Sequence, residues 1–242
     1  MRPPSTIGLT VVLALSAAAP ADVAQAPAAC IAGLIPLERI VAGNPDDLFA
    51  GADCRQAAIR CGAFDRSIDF FKRLARKHPR SASVRLNLAL AYVDKIPSAG
   101  DLRQALLGRD AIGELGRANE IAPTWIGHYT RGFIYLNYPR AFGGGPKAIA
   151  ELERAVELGS LEAPRPHHAR AWVALGDAHY WRLSDLGKAR EIWTEGARRF
   201  PADAALRERL SKEGMPLRDA IRKTMNPDAR VDTSLAELRA AQ

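Results

Sequence analysis

The feature that most constrains this chain is the recurrence of small and aromatic residues one helical turn apart. It is clearest between Trp172 and Pro201, WVALGDAHYWRLSDLGKAREIWTEGARRFP. Trp172, Leu175, Gly176 and His179 mark one stripe, and Ala189, Trp193 and Gly196 mark a second that stops before Pro201. This spacing predicts two antiparallel helices. Gly176 and Ala189 fall where the two backbones cross, so that a larger side chain would push the pair apart, and Trp172 and Trp193 fill the space beside the crossing.

These residues resemble the tetratricopeptide repeat family, whose unit of about 34 residues reads W-x2-L-G-x2-Y, then A-x3-F, then P. His179 stands in place of the usual tyrosine, and one extra residue separates the helices. Earlier segments follow the same plan. Asp46 to Cys61 reads as the first helix of a degenerate unit, after a lead-in with a short helix around Leu37 to Val41. Its partner, Phe64 to His78, carries Ser67, Phe71 and Leu74 and closes at Pro79. The second unit starts at Ser81 and places Leu88, Ala89 and Tyr92, then Ala111, Leu115, Ala118 and Pro123, at the family's positions. Between Tyr92 and Ala111 the spacing exceeds the family's by about ten residues, a surplus expected to form a loop at one edge of a stacked array. The third unit has Gly132 and Tyr135, then Ala148, Leu152 and Ala155. Its turn, Tyr138 to Pro146, contains Phe142-Gly143-Gly144-Gly145 and resembles one in a subset of exported bacterial repeat proteins, including transporter-associated ones.

The resemblance implies an all-α fold, a right-handed α-solenoid of about four helix-turn-helix repeats with a C-terminal capping helix. The chain divides into a signal peptide (1–28), a lead-in with the first repeat helix (29–62), the repeat array (63–201), and capping helices with a tail (202–242). Ala205, Leu206 and Leu210 form the apolar stripe of the cap, which covers the last open face of such an array. Pro216 to about Met225 gives another short helix, and the tail is expected either to fold back on the array or to be mobile.

The amino terminus bears on location. Arg2, an apolar run from Ile7 to Ala18 and a following small-residue segment have the layout of a secretory signal. The run is shorter than the roughly 20 apolar residues of a spanning helix. Cleavage after Ala21 or after Ala28 suits the small residues present. A periplasmic location is therefore expected, with no transmembrane segment after signal cleavage. Lipid anchoring at Cys30 is the weaker alternative, because the apolar run ends well before it and Pro27 occupies the place three residues ahead. Export implies an oxidising compartment in which cysteines pair. Cys54 and Cys61 on one unbroken helix would be roughly 10 Å apart, too far for a disulfide, which leaves Cys30 with either of them, or Cys54 with Cys61 across a helix break.

The stacked array leaves the first helix of each pair along a concave groove, the default binding surface. The register places Leu86, Leu90 and Val93 there from the second unit, Tyr129, Phe133 and Asn137 from the third, and Arg170, Asp177, Tyr180 and Trp181 from the fourth. The last seven are the candidate partner-binding residues, since aromatics and arginine carry much of the energy of interfaces. Asn87 stands where some relatives place an asparagine that clamps a partner's C-terminal carboxylate. The matching basic positions hold Ile126, Thr130 and Ala174, so that ligand is not carried over.

The formal charge is +7, which favours an acidic partner. Nucleic acid is not expected, because the charge is dispersed without a lysine-rich tail or interleaved aromatics. Lys147 follows Gly-Gly-Gly-Pro, but Ala148 supplies no hydroxyl and Pro146 lacks an N–H, so the run is no phosphate loop. His167 and His168 are adjacent and diverge, which gives no metal pair. No cofactor and no catalysis are expected. The first reading is a scaffold or adaptor that holds a protein or peptide; the second is a transporter-associated protein that encloses a small organic solute beside Tyr129, Tyr180 and Trp181.

Overall fold

A computed structural model of the chain describes residues 28–138, 143–225 and 232–240. The expected signal peptide, 1–28, lies outside the described residues except for Ala28. Among the described residues there are twelve α-helices and no strand. They are α1 (Ala28–Gly43), α2 (Leu48–Arg60), α3 (Phe64–Lys77), α4 (Ala82–Lys95), α5 (Asp101–Ile121), α6 (Trp125–Asn137), α7 (Gly144–Ser160), α8 (Ala169–Leu183), α9 (Leu186–Arg199), α10 (Ala204–Ser211), α11 (Gly214–Thr224) and α12 (Ala236–Arg239).

Five of the helices, α2, α4, α6, α9 and α10, start where a short polar side chain satisfies one or more of the first free N–H groups. The Asp47 carboxylate accepts from the amides of Phe49 and Ala50, and Ser81, Thr124, Asp185 and Asp203 cap α4, α6, α9 and α10 in the same way. Helices α4/α5, α6/α7 and α8/α9 form intimate pairs, and each second helix packs against the first helix of the next pair. The result is an all-α solenoid.

Close packing at the pair crossings is what holds the array. Gly176 faces the indole of Trp193, which is fully buried and donates from Nε1 to the Val173 carbonyl. A Cβ on Gly176 would lie 2.2 Å from that nitrogen. Ala111, Ala148 and Ala189, the small residues of the second-helix motif, are all completely enclosed. Apolar clusters run from one pair to the next, the last of them closing α8 and α9 under Leu206 of α10 and Leu217 and Ile221 of α11. Helices α10 and α11 are thus the expected cap.

Two expectations change, and the open choice among the cysteines is decided. The lead-in is a full helix, α1, that continues through Pro36, because Leu34, Leu37 and Val41 pack on neighbouring helices and the Glu38–Arg66 ion pair ties it to α3. The surplus between Tyr92 and Ala111 is not a loop. After a 3-10 turn at Ile96–Ser98 it becomes the first turns of α5, which is 21 residues long because nothing beyond Gly100 interrupts helix formation. The cysteine alternatives resolve to a Cys30–Cys61 disulfide, with Cα atoms 5.8 Å apart, that staples α1 to the end of α2. Cys54 is a buried free thiol whose pKa is pushed up to about 12, chiefly by burial.

The glycine-rich turn enters α7 through Gly143, which has a φ of 67° that suits glycine. Residues 139–142 of that turn lie outside the described residues. Arg182 of α8 caps the end of α6 by donating to the carbonyls of Tyr135, Leu136 and Tyr138.

Candidate partner-binding groove

Helices α2, α4, α6 and α8 are the first helices of their pairs, the ones a stacked array turns toward its concave groove, and α2 packs on α4 and α6 on α8. The groove's amino-terminal half is occupied by the chain's own residues 232–240. Leu235 is buried among Ala52, Leu86, Ala89, Leu90 and Leu115. Leu86 and Leu90, expected to face a partner, therefore face the tail. Beside them Arg55 of α2, wholly enclosed, forms an ion pair of 2.8 Å with Asp94 of α4 and donates from Nε to Asn87 Oδ1 at 2.9 Å. Arg55 Nη2 donates to the Thr233 carbonyl at 2.7 Å, and the Thr233 hydroxyl donates to Asp94. Asn87 completes the network by donating to the Leu48 and Ser83 carbonyls. It buttresses Arg55 from the side.

The seven candidate residues do not form one site. Tyr129 and Phe133 are half-buried and continue a ladder from Trp125, with centroids 4.9 Å apart for Trp125–Tyr129 and 6.0 Å for Tyr129–Phe133. Burial pushes the Tyr129 phenol up to about 12, so it stays neutral. Asn137 donates to the Phe133 carbonyl and lines a separate cleft of about 370 Å³ between α5 and α6. Arg170 is exposed and pairs with Glu237 of the tail at 2.7 Å. Tyr180 and Trp181 border an open cleft of about 330 Å³ with Ser184 and Arg218, whose guanidinium lies 5.6 Å from the Trp181 ring centre.

Asp177 is a correction. It is 2% exposed and holds Arg209 of α10 through two hydrogen bonds of 2.9 and 3.0 Å, so it fastens the cap and does not face a partner. Burial pushes its carboxyl above the usual range, with the Arg209 bonds pulling the other way. Repeat register alone puts Asp177 on the groove side, and it carries no information that α10 closes over that position.

His167 and His168 sit in a 3-10 turn against the Trp125 ring, the His167 ring 5.0 Å from it. His167 is pushed down to about 4, first by burial and then by the charges of His168, Arg165 and Arg170. Among the described residues no group of three His, Cys, Asp or Glu side chains is placed to hold a metal ion. No described helix is long and apolar enough to cross a membrane.

Sequence reasoning missed Arg55, Asp94 and Arg209. Arg55 and Asp94 signal themselves only as charged side chains within repeat helices, and Arg209 only as one of three consecutive charged residues on α10.

Helix pairs stacked in sequence order define a helical-repeat protein. Among solved structures, the chain is similar to TTC0263, a thermophilic TPR protein of Thermus thermophilus, with a TM-score of 0.54 and 25% identity over 75% of this chain and 89% of that one. MamA is similar in fold, with a TM-score of 0.51 and 20% identity over 77% of this chain and 95% of that one. No protein-family model matches the sequence, and no curated protein matches it. The chain shares the helical-repeat fold of tetratricopeptide repeat proteins.

Proposed function

We propose that this protein is a periplasmic scaffold that holds a protein or peptide partner along its concave face and performs no chemistry of its own. One observation carries the reading: the groove already holds a peptide segment, residues 232–240, through backbone and side-chain contacts together. A surface that satisfies a backbone carbonyl, a hydroxyl and an apolar side chain at once is suited to polypeptide. The disulfide supports an oxidising compartment. It also engages the Cys30 thiol that a lipid anchor would need.

The solute reading rests on the Tyr180–Trp181 cleft. At about 330 Å³ it reaches the lower range of ligand sites, but it opens to solvent and its lining is more polar than such sites require. A protein surface fits it better. Affinity capture from the periplasm with the wild type and a Trp181→Ala, Arg218→Ala variant tests the assignment. The variant should lose the partners that the wild type retains while keeping its helical circular dichroism; equal capture by both defeats it.

A further inference from the structure

The tail that lies in the groove is built like a ligand. Outside the groove it has little to hold it: α12 is a single turn, Asp232, Ala236, Glu237, Arg239 and Ala240 are exposed, and only Thr233 and Leu235 are buried. Those two side chains, two residues apart, enter two different kinds of site. Thr233 closes a polar one, in which Arg55 offers a donor to the backbone carbonyl and Asp94 accepts from the hydroxyl. Leu235 fills the apolar one next to it. Leu235 does so with a φ of 60°, a left-handed conformation that a residue of this bulk adopts only where its surroundings hold it. Two exposed ion pairs flank these anchors, Glu237 with Arg170 at 2.7 Å and Arg239 with Asp53 at 2.9 Å.

The receptor side is held in place by its own neighbours. Arg55 is fixed by Asn87 and Asp94 and is itself 0% exposed, so its Nη2 donor and the second oxygen of Asp94 point at the tail. Such a fixed donor and acceptor reject a segment without a hydroxyl, because the enclosed Asp94 oxygen would then lose the proton it accepts.

We propose that the amino-terminal half of the groove reads short segments of other proteins with a threonine or serine, a leucine two residues later and an acidic residue two beyond that, and that residues 232–240 are a built-in competitor that a partner must displace. This rests on the reading of the concave face as a protein-binding surface, and it adds the chemistry of the partner and the state of the resting chain.

The test uses the full chain with a protease site placed within residues 226–231, folded first and then cut and dialysed. The probe is a fluorescent peptide of the tail sequence, Asp-Thr-Ser-Leu-Ala-Glu-Leu-Arg-Ala. It should bind the cut chain and not the uncut one, and peptides with Val for Thr or Ala for Leu should bind about ten-fold weaker or more. Equal binding to cut and uncut chains, equal binding of the Val peptide, or a severed tail that neither dialyses away nor yields to excess peptide each overturns the proposal. Should the inserted site prevent folding, the full chain carrying Thr233→Val and Leu235→Ala replaces it, and failure of that folded chain to bind the wild-type peptide overturns the proposal equally. If partner capture depends on Trp181 and Arg218 but the peptide does not bind, the tail proposal fails alone. If the peptide binds but capture ignores the groove, the scaffold reading fails instead.

Discussion

At the scale of single residues, charge burial decides most. Arg209 and Asp177 are both almost completely enclosed, and the pair costs desolvation that its two hydrogen bonds offset. Arg209→Leu leaves the carboxylate buried without its cationic partner and should destabilise the chain by about 3–5 kcal/mol in urea unfolding. Combining it with Asp177→Leu should recover much of that loss, because removing both charges removes the desolvation cost with them. His167 sets a pH dependence. Its folded pKa of about 4 lies below the ordinary 6.5, so the fold favours the neutral ring. The contribution is complete above about pH 6.5 and is lost as pH falls toward 4, because the unfolded chain then binds the extra proton. His168 is shifted in the same direction, chiefly by burial. The melting temperature should therefore fall between about pH 6.5 and 4.5, and the fall should flatten in the His167→Gln, His168→Gln variant.

At the scale of elements, small residues act through the neighbour they admit. Gly176→Ala would put a methyl against the Trp193 indole, which is pinned to the Val173 carbonyl and cannot withdraw cheaply. A loss of about 1–3 kcal/mol is expected from such overpacking. Gly113 of α5 has open space beside it, and Gly113→Ala should stabilise the helix by roughly 0.5–1 kcal/mol. The two variants, measured side by side by thermal unfolding, separate packing from helix propensity. The contrast also explains what was legible. The pairs around Gly132, Gly176, Ala148 and Ala189 could be read from spacing, because a helix crossing needs a small residue at a repeating position. The extent of α5 could not, because Pro97 and Gly100 look like loop signals although helix formation resumes at once after them.

At the scale of the molecule, two long-range ties shape the amino-terminal end. The Cys30–Cys61 disulfide joins positions 31 apart in the sequence. Its removal in Cys61→Ser should lower stability by about 3–4 kcal/mol in the chain-entropy account, read as a lowered denaturation midpoint that reductant no longer changes. The second tie is the tail, which brings Thr233 to Arg55 across 178 positions of sequence.

The repeat periodicity alone determined that this chain forms paired helices stacked in order, because the interval between small and large residues leaves their faces no other way to be buried. It could not determine what lies on the concave face. Which of Leu86, Leu90, Arg170 and Asp177 meets solvent depends on where α10 and residues 232–240 return, and those placements follow from partners far away in the chain that no local pattern encodes. Only the tertiary structure decided that half of the groove holds the protein's own C-terminal segment.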